Sequence, residues 1–371
     1  MRNVSWNPEG FTSLPYADLF FSPYLEEVRI LVAGSYENSR DVLQIIATAL
    51  TSTLPVSTLQ RIHIHIAHPA PQAYLTDSFS SFVLRCGPSL TEFMAPMPMS
   101  DAAITHLIQL PNLRNWRIGC PPPTYSTSSL PLVFPPLTEL SLESDAPRGW
   151  LSLFKRLDRG FSTTQSTTPL SRVKESLKSL MVICAAGAII DASFTSAIQI
   201  FCNLVSINVL DNCYDMNRSR CTSKLNNDDV TEFAAALPRL EVLRLGSPCP
   251  ENTCLTTVAC LLAFSVHCVK LRELEIHFNT TNIVKDFRNS SVDPRFRELR
   301  SLPKCPLSCL YINQTPLSLD AAGFEVVANG MVNIFPSLRC CRGDDGFLPW
   351  ERLTDMIARV QETRTLLIRR R

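Results

Sequence analysis

Glycine is scarce in this sequence, at only 12 of 371 residues, and the motifs that depend on it are missing. There is no glycine-rich phosphate loop and no dinucleotide-binding fingerprint. The Gly-x-Ser-x-Gly turn of hydrolases and the His-Glu-x-x-His helix of zinc proteases are absent as well. We therefore expect a protein that is not an enzyme and that binds no cofactor.

An excess of charge of one sign is also lacking. Lys and Arg number 35 and Asp and Glu number 34, which gives a net charge of +1. Proteins that bind nucleic acid usually carry a basic surplus that neutralises phosphates, so we do not expect a nucleic-acid partner. Hydrophobic residues make up 45% of the chain, which is enough to build a large buried core.

The first ten residues contain no apolar segment of the kind found in secretory signal peptides. We accordingly expect a cytoplasmic or nuclear protein whose 14 cysteines are mostly reduced and buried as small hydrophobic residues. Two weakly charged segments, 179–202 and 252–269, approach the length of a membrane span. The first carries Asp191 near its centre and the second carries several polar residues, so we predict no membrane association.

What the sequence does contain is a recurring strand pattern, namely leucine, two residues, an apolar residue, one residue and another apolar residue. The last two apolar side chains are two positions apart and therefore point to the same face of a strand. Weaker copies of the pattern begin at Leu90 and Leu338. Nine strong copies begin at Leu25, Leu59, Leu113, Leu137, Leu177, Leu204, Leu240, Leu271 and Leu307.

Helical patterns lie between the copies, at 39–50, 74–86, 101–110, 193–202, 228–237 and 256–268. Ser100-Asp101 and Asp228-Asp229 are typical of helix N-termini. Proline-containing segments such as Leu237-Pro238-Arg239-Leu240 end a helix and favour an extended entry into the next strand. The alternation predicts an α/β leucine-rich-repeat solenoid, a horseshoe with one parallel sheet on its concave face and helices on its convex face.

The repeats divide the chain into three regions. Residues 1–24 form an N-terminal extension, 25–345 form irregular leucine-rich repeats, and 346–371 form a capping helix and a basic tail. Uneven spacing between the copies predicts insertions, which we expect to be surface loops, at 120–129, 158–176, 211–227 and 279–301. In the closing helix Leu353, Ile357 and Val360 are predicted to face inward.

Two clusters contain metal-ligating residue types: His63, His65 and His68, and Cys249, Cys254, Cys260 and Cys268 with His267. Neither cluster has the spacing of a zinc motif. His63 and His65 also fit ordinary exposed positions of a strand. We predict that the chain binds no metal.

The strand residues that alternate with the apolar ones face the concave side and could bind an unidentified protein. Arginine and tyrosine are the residue types most often found at the centre of protein interfaces. Basic residues in the early repeats and acidic residues in the late ones predict a charge gradient that would orient a partner. A simply solvated strand face is the alternative interpretation. The candidate binding residues are Arg29, Arg61, His63, Arg117, Arg244, Glu273, Glu275 and Tyr311.

The proline-led repeats, their irregular lengths and the ending DAAGFEVVANGMVNIFPSLRCCRGDDGFLPWERLTDMIARV resemble the repeat region of F-box proteins of mushroom-forming fungi. The resemblance runs from Leu25 to Val360. It implies a substrate-recognition region of a ubiquitin-ligase receptor, in which an F-box docks a cullin ligase through its adaptor. The repeats of such a receptor hold the protein that becomes ubiquitinated.

An F-box itself is not recognisable here. The 24 residues before the first copy are fewer than a three-helix F-box needs, and Leu14-Pro15 and Leu348-Pro349-Trp350 only echo its opening. We expect the cullin-ligase adaptor to be a partner only if an F-box lies outside this chain. A free-standing leucine-rich-repeat binding or inhibitor protein is the alternative function, and an enzyme with an unrecognised site is a more distant one.

Overall fold

The computed structural model describes residues 2–6, 24–32, 58–66, 76–95, 99–119, 136–144, 175–184, 189–211, 222–245, 255–290, 304–312, 317–343 and 348–369. The chain forms two compact units, Met1–Leu177 and Lys178–Arg371.

The first unit contains a parallel sheet in which each strand pairs with the next strand along the chain. Its strands are β1 (Asn3–Trp6), β2 (Glu27–Val32), β3 (Arg61–Ile66), β4 (Glu92–Ala95), β5 (Asn115–Gly119) and β6 (Glu139–Ser144). Its described helices are α1 (Thr76–Leu84) and α2 (Asp101–Gln109), which pack against each other.

The strands of the second unit are β7 (Ser179–Cys184), β8 (Ile189–Ile190), β9 (Ser206–Asp211), β10 (Thr222–Ser223), β11 (Val242–Leu245), β12 (Glu273–Glu275), β13 (Cys309–Tyr311) and β14 (Cys340–Arg342). Strands β7, β9, β11, β12, β13 and β14 pair in parallel in that order, and β8 and β10 form a separate parallel pair. The helices are α3 (Ala192–Ile198), α4 (Asn227–Ala236), α5 (Ala259–His267), α6 (Ile283–Ser290), α7 (Ala321–Ile334) and α8 (Leu348–Arg369).

Every copy of the strand pattern lies at a parallel strand, as predicted. The leading leucine of all eleven copies, the weak ones at Leu90 and Leu338 included, is 0% exposed. The apolar residues that follow are buried too, as at Leu243 and Leu274, and together with the apolar sides of the helices they form the core of each unit. The predicted α/β architecture with parallel strands is therefore confirmed, whereas the horseshoe curvature stays a prediction.

A ladder of backbone hydrogen bonds starts one residue after each leading leucine. In the second unit the carbonyl of Lys178 accepts from the N–H groups of Val205 and Ser206 at 2.7 and 2.9 Å. The carbonyls of Val205, Glu241, Arg272 and Ser308 accept in the same way, as do those of Arg2, Glu26, Gln60, Thr91 and Arg114 in the first unit. Because each step joins equivalent positions, the repeats stay in register although their lengths differ.

Strand β1 lies in the region that the sequence assigned to an N-terminal extension. Val4 and Trp6 pair in register with Val28 and Ile30, and the carbonyl of Arg2 accepts from Glu26 and Glu27 as in the other repeats. By spacing, Met1 occupies the position of the leading leucine. The strand was not predicted because methionine, and not leucine, stands at that position of the sequence.

The helices agree with the helical patterns in most places. Helices α1 to α5 lie within or next to the predicted segments, and Ser100 caps α2 by accepting from the N–H of Ala103 at 3.3 Å. The predicted cap of α4 was wrong, because Asn226 caps that helix and Asp229 completes a capping box with it. The segment 39–50 lies outside the described residues.

Two helices were not predicted. Helix α6 lies inside the segment 279–301 that was expected to be a loop, and its Ile283 and Phe287 are buried. Helix α7 packs against both α6 and α8. None of the helices in the described residues combines the length and the hydropathy needed to cross a membrane.

Most of the described cysteines are buried thiols, as expected: Cys86, Cys184, Cys260, Cys268, Cys305 and Cys341. The Cys268 thiol donates to the carbonyl of Ala234 at 3.6 Å, at the end of α4, and the Cys305 thiol donates to the carbonyl of Leu271 at 3.4 Å. Each thiol thereby satisfies a backbone acceptor of the preceding repeat. Cys202 is exposed, and Cys309 and Cys340 are half-buried.

Helix α8 packs against β14, the last strand of the second unit. Its Leu353 and Ile357 are buried as predicted, Trp350 joins them, and Val360 is only half-buried. Thr354 Oγ1 accepts from the N–H of Cys341 and donates to its carbonyl, both at 2.9 Å. An exposed strand edge invites pairing with another chain, and this hydroxyl occupies the backbone groups that would take part.

Candidate protein-binding face

In each unit, the strand residues that alternate with the core residues form a second face of the sheet, which we call the polar strand face. In the first unit it comprises Glu27, Arg29, Arg61, His63, Glu92, Met94, Asn115, Arg117, Glu139, Ser141 and Glu143. In the second unit it comprises Ser179, Met181, Ser206, Asn208, Val242, Arg244, Glu273, Glu275, Cys309, Tyr311, Cys340 and Arg342. All eight candidate binding residues of the sequence lie on these two faces.

Glu27 is the most deeply buried charged group of the first face, with its side chain only 5% exposed. Arg61 Nη2 lies 2.8 Å from Glu27 Oε2, and Arg29 Nε contacts Glu27 Oε1. A carboxylate this deep is stabilised only if it is paired, and two guanidinium groups pair it. Both arginines were predicted as binding residues and Glu27 was not, although its position in the strand alternation placed it beside them.

The other basic residue types singled out on the first face also lie beside glutamates. His63 Nε2 lies 3.0 Å from Glu92 Oε1, and Arg117 Nη2 donates to Glu143 Oε2 at 3.1 Å. Each basic residue that was singled out in this unit therefore contacts a glutamate. The predicted excess of basic charge in the early repeats is wrong for the described residues of this face, because acidic partners lie among the basic side chains.

Arg244 contacts residues of two other strands on the second face. Its Nη2 donates to Glu273 Oε2 at 2.9 Å, and its guanidinium carbon lies 5.8 Å from the centre of the Tyr311 ring. The hydrogen bond to Glu273 raises the pKa of Arg244, against the opposing effect of burial, and the charges of Glu273 and Glu275 add to it. Burial in turn raises the pKa of Tyr311, helped by Cys309 and Glu273. The arginine is therefore held charged and in one orientation.

Two pairs of neighbouring residues present buried polar atoms that have no hydrogen-bond partner among the described residues. In the first unit these atoms are Arg117 Nε and Ser141 Oγ, and in the second they are Asn208 Oδ1 and Arg244 Nε. Both pairs are register partners on adjacent strands. Buried polar groups in proteins nearly always make hydrogen bonds, so these atoms are places where a water molecule or a partner can bind.

Nothing in the described residues supports a metal centre, since they contain no group of three or more His, Cys, Asp or Glu side chains that could hold an ion. Burial raises the pKa of the Cys268 thiol to about 12, so the thiolate that a metal would need is disfavoured. His68, Cys249 and Cys254, which belonged to the two clusters considered in the sequence, lie outside the described residues. The absence of a metal site stays a prediction for the whole chain.

Comparison with known proteins assigns no family. No family model matches the chain, and no curated protein matches it. Among solved structures, the crystal structure of the Rad7 and Elc1 complex in yeast is similar to it, with a TM-score of 0.45 and 12% sequence identity over 90% of this chain and 75% of that chain. At such a score and identity the similarity identifies neither a family nor a function for this chain.

Proposed function

We propose that this chain is a non-catalytic protein-binding scaffold whose polar strand faces hold a protein partner. The observation that carries the proposal is a pair of buried polar atoms on adjacent strands, Asn208 Oδ1 and Arg244 Nε, which have no hydrogen-bond partner among the described residues. They lie beside Tyr311, whose ring contacts the Arg244 guanidinium. Arginine and tyrosine, once ordered before binding, are the residue types that contribute most to interface affinity.

The chemistry of the second face indicates what the partner presents. Arg244 Nε requires an acceptor, and Asn208 Oδ1 requires a donor. A polypeptide that places a carboxylate or carbonyl oxygen against the arginine and an N–H against the asparagine supplies both. A nucleic acid fits this face poorly, because Glu273 and Glu275 repel phosphates.

The test uses the full chain with a photo-crosslinking amino acid in place of Tyr311. The chain is expressed in cells of the organism from which it comes. A matched chain carries the same group at Glu325, an exposed residue of α7. We expect Tyr311 to crosslink a defined protein that Glu325 does not. With that protein purified, Arg244→Ala should weaken binding by about 2 kcal/mol or more, roughly thirtyfold in Kd.

The control variant is Arg239→Ala, which removes an exposed arginine of the same repeat that lies off the polar strand face. Its Kd should equal that of the unmodified chain. Equal crosslinking from both positions, or equal losses in the two arginine variants, would contradict the proposal.

In its finer form, we propose that the chain is the substrate-recognition region of an F-box-type ubiquitin-ligase receptor. The support is the sequence resemblance between Leu25 and Val360. The alternative is a free-standing leucine-rich-repeat binding or inhibitor protein. Pull-down with the cullin-ligase adaptor separates the two functions. If the product of a longer transcript that encodes an F-box binds the adaptor, the receptor is supported. If the chain binds its protein partner and no transcript product binds the adaptor, the free-standing protein is supported.

A further inference from the structure

Two cysteines face each other across the last strand pair of the second unit. Cys309 on β13 and Cys340 on β14 are register partners, and the Cys340 thiol donates to Cys309 Sγ at an Sγ–Sγ distance of 3.0 Å. Neighbouring strands lie about 4.8 Å apart. Directly paired Cα atoms at about that distance fall inside the range of roughly 4.4–6.8 Å that disulfides require.

Both thiols lie on the polar strand face and are only half-buried. Their chain neighbours behave differently, because Cys341 and Cys305 are 1% exposed. Burial also raises the pKa of the Cys305 thiol to about 11. A dissolved oxidant therefore reaches the 309–340 pair and not the two core thiols beside it.

We propose that Cys309 and Cys340 form a redox-active dithiol, which oxidised glutathione or a similar small disulfide converts into a cross-strand disulfide. A thiolate of the pair attacks one sulfur of oxidised glutathione, breaks its S–S bond and releases one glutathione. The second thiol then loses its proton and attacks the mixed disulfide, which releases the second glutathione. The two cysteine sulfurs are oxidised, oxidised glutathione is reduced to two glutathione molecules, and these take up the two protons.

The hydrogen bond indicates which thiol reacts first. Burial, together with the hydrogen bond to Cys309, raises the pKa of Cys340 to about 11, so Cys340 remains the donor at neutral pH. Cys309 Sγ is the acceptor of that hydrogen bond, so we assign Cys309 as the attacking sulfur and Cys340 as the resolving one.

The disulfide would join two positions that are 31 residues apart in the sequence. It restricts the unfolded chain across the segment that contains α7, and it ties β14 to the strand beside it. This inference does not depend on the proposed protein-binding function, because its test needs no partner.

The experiment incubates the full reduced chain with increasing ratios of oxidised to reduced glutathione, followed by alkylation, trypsin digestion and mass spectrometry. Trypsin releases peptide 305–339 and the tripeptide 340–342, so the disulfide links two separate peptides. We expect a linked species lighter by two hydrogen atoms than the two peptides together. Fragmentation should place the bond at Cys309 and Cys340, and dithiothreitol should remove it.

Cys309→Ser and Cys340→Ser should each abolish the linked species, and Cys202→Ser should leave it unchanged. The exposed Cys202 also reports that the oxidant was active, through its own mixed disulfide with glutathione. A bond that maps to Cys305 or Cys341, or glutathione mixed disulfides at Cys309 or Cys340 without a link, would overturn the proposal. So would the absence of any reaction of the pair at ratios that modify Cys202. Mapping in the unmodified chain decides the question even if a serine variant does not fold.

Discussion

Gly330 on α7 leaves no room for a side chain beside Phe287 on α6, because a Cβ built on the glycine would lie 2.1 Å from Cδ1 of the ring. Alanine in place of a helix glycine ordinarily stabilises by roughly 1 kcal/mol. Here the buried ring must move, and overpacking of this kind costs roughly 1–3 kcal/mol. We predict that Gly330→Ala lowers the free energy of unfolding, measured by urea denaturation.

The control is the same substitution in a Phe287→Leu background, where the smaller leucine side chain leaves room for the new Cβ. Gly330→Ala should then cost less or become stabilising. If Gly330→Ala alone raised the free energy of unfolding, α6 and α7 would not pack as closely as described.

A second prediction concerns the hydroxyl of Thr354, which contacts the backbone of Cys341 on the last strand. Thr354→Val keeps the shape of the side chain but leaves an N–H and a carbonyl without partners. We expect a loss of about 1–3 kcal/mol in unfolding free energy. Thr365→Val makes the same change at an exposed position of α8, and we expect it to stay within about 0.5 kcal/mol of the unmodified chain. Equal effects would contradict the role of Thr354 at the strand edge.

A third prediction is a pH dependence at the start of α3. Burial opposes ionisation of Asp191, but hydrogen bonds from Ser193 and Phe194 outweigh it and lower the pKa of the carboxyl group. Because the folded pKa lies below the unfolded value of about 3.9, the resulting stability is present above that pH and is lost as the pH falls through the folded pKa.

Asp191→Asn keeps a capping side chain but does not titrate. The advantage of the unmodified chain over this variant should therefore shrink as the pH falls below about 4. Asp191→Ala should cost roughly 0.5–2 kcal/mol at neutral pH, through loss of the cap. Thermal unfolding of the three chains across this range measures both effects, and a difference that grows toward acid would have the wrong sign.

A fourth prediction compares the two faces of one strand. Leu243 is 0% exposed, so Leu243→Ala should leave a cavity and cost roughly 2–5 kcal/mol. Val242 precedes it on the polar strand face and is half-buried, so Val242→Ala should cost clearly less. The reverse order in urea denaturation would mean that the strand is turned over.

The strands could be predicted from sequence because the pattern is local. A leading leucine and two apolar residues at fixed spacing specify a strand and its buried face, whatever the length of the segment that follows. Even the weak copy at Leu338, with Cys341 in an apolar position, forms a strand with that cysteine in the core. Helix α6 could not be predicted in this way, because most of its residues are polar and its apolar contacts come from Ile283 and Phe287, the buried residues among 283–288.

The positions of the candidate binding residues could be predicted from the sequence, but their contacts could not. Alternation along one strand placed Arg29 and Arg244 on the correct face, but their partners come from side-chain geometry and from neighbouring strands. The contact of Arg244 with Glu273 needs the register between β11 and β12, as does the pairing of Cys309 with Cys340 between β13 and β14. That register follows once the copies are aligned on their leading leucines, since Val242 and Glu273 each lie two residues after one. The side-chain conformations that decide which neighbours touch do not follow from the pattern.

The backbone ladder that begins at Lys178 and continues through Val205 and Glu241 uses only carbonyl and N–H groups. Acidic, basic, polar and apolar residues occupy its steps, so the backbone ladder places no demand on the side chains at those positions. Side chains of the polar strand face can accordingly change without loss of this ladder. A library randomised at the polar strand face of β11 and β12 alone, at Val242, Arg244, Glu273 and Glu275, can be screened for new ligands while the backbone ladder is kept.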